Sequence, residues 1–175
     1  IRKETPDFLG FVESKALKTN IPSIAGYFHY ISPANATGGS PSGGIIEIVK
    51  DCWKGKVVLA RVRKDDNTLW IQILGGGQDS KDLFICFAYS RNADERYNLD
   101  IARFYENLSQ DFLEYSKIGS IVIMGDFNAR LGSFVGDHNS NGSKDSFMSF
   151  LEFTNLTFLN KIHAFGAYTY VDVSS

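Results

Sequence analysis

The run Ser120-Ile121-Val122-Ile123-Met124 is apolar and rich in β-branched residues, and it closes on Gly125-Asp126-Phe127-Asn128-Ala129. Such a run reads as a buried strand that the glycine brings to an end. An acid and an amide two positions apart then stand at the strand's carboxyl end, where open sheets place their chemistry. Gly, Asp and Asn also shape ordinary turns, so these five residues alone serve either purpose.

The rest of the chain alternates strands and turns before changing period. Ile24 to Ser32 and Gly44 to Val49 predict strands, separated by a loop over 33–41 that is rich in Gly, Pro, Ser and Asn. Lys56 to Arg63 and Leu69 to Leu74 alternate apolar and polar residues around Asp65-Asp66-Asn67, which predicts a β-hairpin. Gly75-Gly76-Gly77 has no Lys-Ser/Thr after it, so it does not read as a phosphate loop.

Between Ala93 and Lys117 the apolar spacing becomes three and four. Tyr97, Ile101, Phe104, Tyr105, Leu108, Phe112 and Tyr115 then share one face of an amphipathic helix. A second helix is predicted over Lys144 to Thr154, with Phe147, Phe150 and Leu151 inward, followed by a strand from Leu156 to Leu159.

With 175 residues, 43% of them hydrophobic and 14% aromatic, the chain can bury one sizeable core, so 1–175 is expected to form a single domain. No apolar run is long enough to cross a bilayer. Two cysteines, Cys52 and Cys86, cannot make a multi-bridge framework; Cys86 in an apolar strand reads as a buried thiol, which favours a reducing, intracellular setting. A formal net charge of −2 provides no global attraction to nucleic acid. Lys54, Lys56, Arg61, Arg63 and Lys64 form a local basic stretch, which a solvated strand face also explains.

Gly-Asp-Phe-Asn after an apolar strand resembles the exonuclease-endonuclease-phosphatase superfamily. The continuation Ala129-Arg130-Leu131-Gly132 and the later Asn139-Ser140-Asn141-Gly142 are similar to the apurinic/apyrimidinic-like endonuclease domain of non-LTR retrotransposons. Three further segments fit in the same order. Pro6 to Lys15 resembles the strand that ends in a metal-binding glutamate, Ser42 to Val49 the Gly-Gly-led strand, and Leu83 to Asn92 the strand whose terminal tyrosine meets the scissile phosphate.

The resemblance implies an α/β (α+β) four-layer sandwich, in which two packed mixed β-sheets carry helices on their outer faces. It also implies that the family's first strand, with a metal-holding asparagine, and its late Ser-x-Ile-Asp and Ser-Asp-His strands fall outside these 175 residues, leaving the sandwich partly incomplete. His29, His138 and His163 lie elsewhere, and none has a partner at ligand spacing.

Hydrolysis of a phosphodiester needs a positioned water, compensation of charge on the non-bridging oxygens, and stabilisation of the leaving oxygen. By resemblance, Glu13 holds Mg²⁺, with Mn²⁺ as the alternative; hard oxygen ligands suit either ion. Asp126 orients and deprotonates the water, Asn128 holds a phosphate oxygen, and Tyr89 donates its hydroxyl to the phosphate. Asn92, Arg130, Asn141 and Thr169 are expected on the substrate side. The expected activity is nicking of DNA by a metal-dependent endonuclease domain joined to a reverse-transcriptase region in a nuclear parent protein. A catalytically incomplete remnant of such a domain, and a phosphatase of the same superfamily, are the alternatives.

Overall fold

Three strands form the first sheet of this computed structural model, which describes residues 5–17, 21, 23–35, 41–64, 67–77, 80–91 and 98–166. They are β1 (Phe8–Val12), β2 (Tyr27–Ser32) and β3 (Ile45–Lys50), in the order β1-β3-β2 and antiparallel throughout. β3 is buried from Ile45 to Val49, four apolar residues around Glu47, as befits a central strand.

The second sheet is mixed. It contains β4 (Val57–Arg63), β5 (Thr68–Ile73), β6 (Asp82–Tyr89) and β7 (Gly119–Asp126) in that order. The expected hairpin is β4-β5, β5-β6 is antiparallel, and β6-β7 is parallel. The crossover from β6 to β7 contains the helix α1 (Asn98–Tyr115), because parallel neighbours need a long connection.

The two sheets pack face to face. Ile45 and Val49 of the first sheet meet Val57, Leu69, Ile71, Ile85 and Phe87 of the second in one core, with Phe8, Val12, Phe28 and Tyr30 against it. The Tyr30 hydroxyl donates to the Val57 carbonyl at 2.9 Å and ties β2 to β4. β1 lies against β6 and β7.

A β-bulge between Leu59 and Arg61 decides which way the arginines of β4 point. Val57 and Val62 both face the core although they are five residues apart, a spacing that strict alternation forbids. The shift places Arg61 opposite Trp70, and Arg63 opposite Thr68, on the sheet's other face. There the last turns of α1 supply Asp111, fully buried, which accepts from Arg61 and from Arg63, the latter at 2.6 and 2.9 Å. Glu114 accepts from Arg61 at 2.8 and 2.9 Å, and the Tyr115 ring stacks on Phe84 with centroids 4.4 Å apart.

The chain divides into two compact units, Ile1–Ser90 with Gln110–Phe127, and Arg91–Ser109 with Asn128–Ser175. The first contains both sheets. In the second, Ile101, Phe104, Tyr105 and Leu108 of α1 are buried, and Tyr105 packs against Phe147 and Phe150 of α2 (Lys144–Thr154).

Three expectations change. The run expected as a buried strand, β7, stands last in its sheet with Val122 and Met124 exposed, because it has a strand neighbour on one side alone among the described residues. On α1 Asp111 is fully buried, as Leu108 is, while Phe112 is only half-buried, because the arginine pair draws the carboxylate inward. The segment expected as a strand at Leu156 to Leu159 forms none. Asn155 ends α2 in a left-handed conformation, Phe158 stacks on Phe134 and meets Phe147 edge-on, and the chain enters a short helix, α3 (Leu159–His163). Aromatic packing there replaces strand pairing.

Candidate functional site

The register of the strands brings the expected residues of the first unit to one end of the sandwich. Tyr89 is the last residue of β6 and stands beside Asp126, the last residue of β7. The Ser90 N–H donates to the Asp126 carbonyl at 2.9 Å and closes the pair. Asp126 is exposed and Tyr89 half-buried.

Gly125 is what lets β7 approach so closely. Its φ is +144°, and a Cβ there would collide with the Ala88 carbonyl oxygen. The Gly-Asp dipeptide thus couples a tight contact between strands to a carboxylate presented at the strand end.

Glu13 follows β1 directly and is exposed, with φ of +50°. That conformation is costly for a residue with a long side chain and needs external support. The support comes from the next two amides: Ser14 and Lys15 donate to the carbonyls of Gly44 and Gly43, each at 3.0 Å. Gly43, which accepts from Lys15, lies against the Asn67 side chain, and the Asn67 carbonyl accepts the Tyr89 N–H, so the turn carrying Glu13 stands at the same end as Tyr89 and Asp126.

A residue assigned only to a turn by the sequence holds this end together. Asn67 is 6% exposed and left-handed, with φ of +46°. Its carbonyl accepts the Tyr89 N–H at 3.0 Å, and its side-chain oxygen fills the space where Gly43 lacks a side chain. Gly43 itself has φ of +70°, so glycine is required there on both counts. Asn67 thereby links the first-sheet strand beginning after Gly44 to the end of β6. Only its asparagine identity in a turn hinted at a left-handed backbone.

Asn128, Arg130 and Asn141 belong to the second unit. Asn128 is half-buried with φ of +45°, and Arg130 is exposed. The Asn141 side chain donates to the Asn128 carbonyl at 2.7 Å and accepts the Arg130 N–H at 3.0 Å. The remaining expected substrate-side residues, Asn92 and Thr169, lie outside the described residues.

Three of the five cations in the basic stretch sit in ion pairs. Arg61 and Arg63 are bound to Asp111 and Glu114, and Lys54 pairs with Asp51 at 2.8 Å. Cys52 is an exposed free thiol; Cys86 is a buried one, its pKa raised by burial. Among the described residues no helix is long and apolar enough to cross a membrane.

Glu13 and Asp126 are exposed carboxylates at this end, oxygen donors of the kind that a hard cation takes. Among the described residues no group of three or more His, Cys, Asp or Glu side chains assembles around a metal position.

Two packed sheets, one antiparallel and one mixed, with Tyr89 and Asp126 at the carboxyl ends of β6 and β7, form an α+β sandwich. Among solved structures the chain is similar to the catalytic domain of Xenopus laevis APE2, with a TM-score of 0.59 and 14% identity. The match covers 82% of this chain and 59% of that one, so the chain spans less than two thirds of the domain it resembles. No family model and no curated protein matches the chain.

Proposed function

We propose that this chain is the core of a metal-dependent phosphodiesterase, a DNA-nicking endonuclease domain of the non-LTR retrotransposon kind. The observation that carries the proposal is the register pairing of Tyr89 with Asp126 at the strand ends, at the same end of the sandwich as Glu13. The fold shared with the APE2 catalytic domain supports a nuclease-type activity, and the segments Ala129 to Gly132 and Asn139 to Gly142 favour the retrotransposon branch.

In this proposal Asp126 acts as general base. Its exposed carboxylate accepts a proton from the attacking water and directs the lone pair at phosphorus. The Tyr89 hydroxyl and the Asn128 amide donate to non-bridging oxygens, where negative charge builds in the transition state. Glu13 is the protein ligand for Mg²⁺, with Mn²⁺ as the alternative. Such an ion, when bound, supplies Lewis-acid stabilisation of the phosphate and the leaving oxygen.

Arg130 offers its cation to the DNA backbone, and Asn92 and Thr169 take substrate-side roles by resemblance. DNA is the proposed partner, and a reverse-transcriptase region and a nuclear setting are proposed for the parent protein.

Nicking of supercoiled plasmid by the chain with Mg²⁺ or with EDTA, beside Asp126→Ala, tests this reading. Mg²⁺-dependent nicking that the substitution abolishes is the expected result. Nicking that survives Asp126→Ala, or that EDTA leaves intact, would overturn it.

A further inference from the structure

Asn128 adopts a left-handed backbone, and the residues around it must impose that shape, because it costs an isolated chain free energy. The segment that follows forms a closed loop. Leu131 and Ser140 make an antiparallel bridge, Leu131 is 3% exposed, and the Asp137 N–H donates to the Gly132 carbonyl at 3.0 Å. Asn141 sits where this loop returns.

Three bonds join Asn141 to the chain it faces. Its Nδ2 donates to the Asn128 carbonyl at 2.7 Å, its Oδ1 accepts the Arg130 N–H at 3.0 Å, and its own N–H donates to the Arg130 carbonyl at 3.3 Å. The Asn141 carbonyl accepts the Lys144 N–H at 3.1 Å, which fastens the same residue to the start of α2. A donor and an acceptor are needed at once on one planar group, so only an amide satisfies the two side-chain bonds. Aspartate would turn a second oxygen on the Asn128 carbonyl, and serine is too short to span both.

We propose that Asn141 is a positioning residue: its amide clamps the main chain from Asn128 to Arg130 and so sets the direction in which the Asn128 side chain leaves the loop. The role rests on the phosphodiesterase reading above for its catalytic consequence, and on the loop geometry for the clamp itself. Asn141 acts through Asn128, so its loss lowers turnover while substrate affinity is held by other contacts.

The test compares the wild-type chain with Asn141→Ala and Asn141→Asp, reading amide hydrogen exchange at Arg130 together with kcat and KM for plasmid nicking in Mg²⁺. In Asn141→Ala, exchange at Arg130 is expected to rise about tenfold or more as its acceptor disappears. In Asn141→Asp that amide keeps its acceptor and its protection. Both variants are expected to lose about tenfold or more in kcat, with KM within about threefold of wild type and α2 still protected.

Unchanged exchange at Arg130 in Asn141→Ala would overturn the clamp. Increased exchange with unaltered kcat, or a loss confined to KM, would overturn the positioning role. A wild-type chain that does not nick at all would remove the phosphodiesterase reading, and the exchange measurement would still decide the clamp.

Discussion

The ring of Phe87 in β6 fills the space that a side chain on Gly10 of β1 would occupy. Gly10 is three residues before Glu13, so this close approach sets how near the Glu13 turn stands to the ends of β6 and β7. Gly10→Val is expected to destabilise the fold by about 1–3 kcal/mol, the usual range for overpacking a filled core. Combining it with Phe87→Leu should recover part of that loss. Denaturant unfolding of the four proteins in the cycle decides the matter, and strictly additive effects would mean that the two side chains do not compete for space.

Glu47 stands inside the sandwich between Gly10 of β1 and Tyr30 of β2. It is 0% exposed, and neither carboxylate oxygen has a hydrogen-bond partner among the described residues. Burial pushes its pKa from the ordinary 4.5 up to about 8, so the folded state keeps the proton at neutral pH. The unfolded chain releases that proton near pH 4.5, and between there and about pH 8 the folded state binds more protons than the unfolded one. Stability therefore falls as pH rises through this window, by an amount on the order of a few kcal/mol. Glu47→Gln should flatten that fall. Unfolding midpoints measured at pH 5 and pH 8 check it, and parallel curves for the two proteins would contradict it.

Asp126→Asn retains the size and shape of the side chain while removing its basicity. On the scale of general-base catalysis, nicking is expected to drop roughly 10²-fold or more, with little change in melting temperature because the residue is exposed. A decline of only a few-fold would rule out Asp126 as the base.

Asp111 is a buried carboxylate held between Arg61 and Arg63. Removing it leaves two guanidinium groups against a covered sheet face, so Asp111→Ala is expected to cost about 3 kcal/mol or more. Arg61→Ala should also weaken the fold, yet it should leave the salt dependence of DNA binding unaltered, since Arg61 is already paired with Asp111 and Glu114. Thermal unfolding and a salt titration of DNA affinity separate the two effects. A reduced salt slope in Arg61→Ala would return Arg61 to the DNA-facing surface.

Elements whose signal is local were legible. The β3 strand, the β4-β5 hairpin, α1 over its described residues, α2, and the strand ending in Gly125-Asp126 all follow from apolar period and turn residues a few positions apart. Leu156 to Leu159 misled for the same reason: a short apolar run suits a strand, but Phe158 found Phe134 and Phe147 instead of a neighbouring strand. The Arg61–Asp111 pair spans 50 positions, and its direction depends on a bulge that no local pattern announces. Asn67 read as a turn residue and Asn141 as a substrate-side one, because their partners, Tyr89 with Gly43 and Asn128 with Arg130, become neighbours only through register and loop closure.

By itself the sequence determined strand or helix for most segments and the residue types able to serve phosphodiester chemistry, because periodicity and turn propensity act over a few residues. Only the tertiary structure decided that Glu13, Tyr89 and Asp126 share one end of the sandwich and that Asn67 braces that end. Those relations depend on strand register and on sheet-to-sheet contact between residues far apart in the chain.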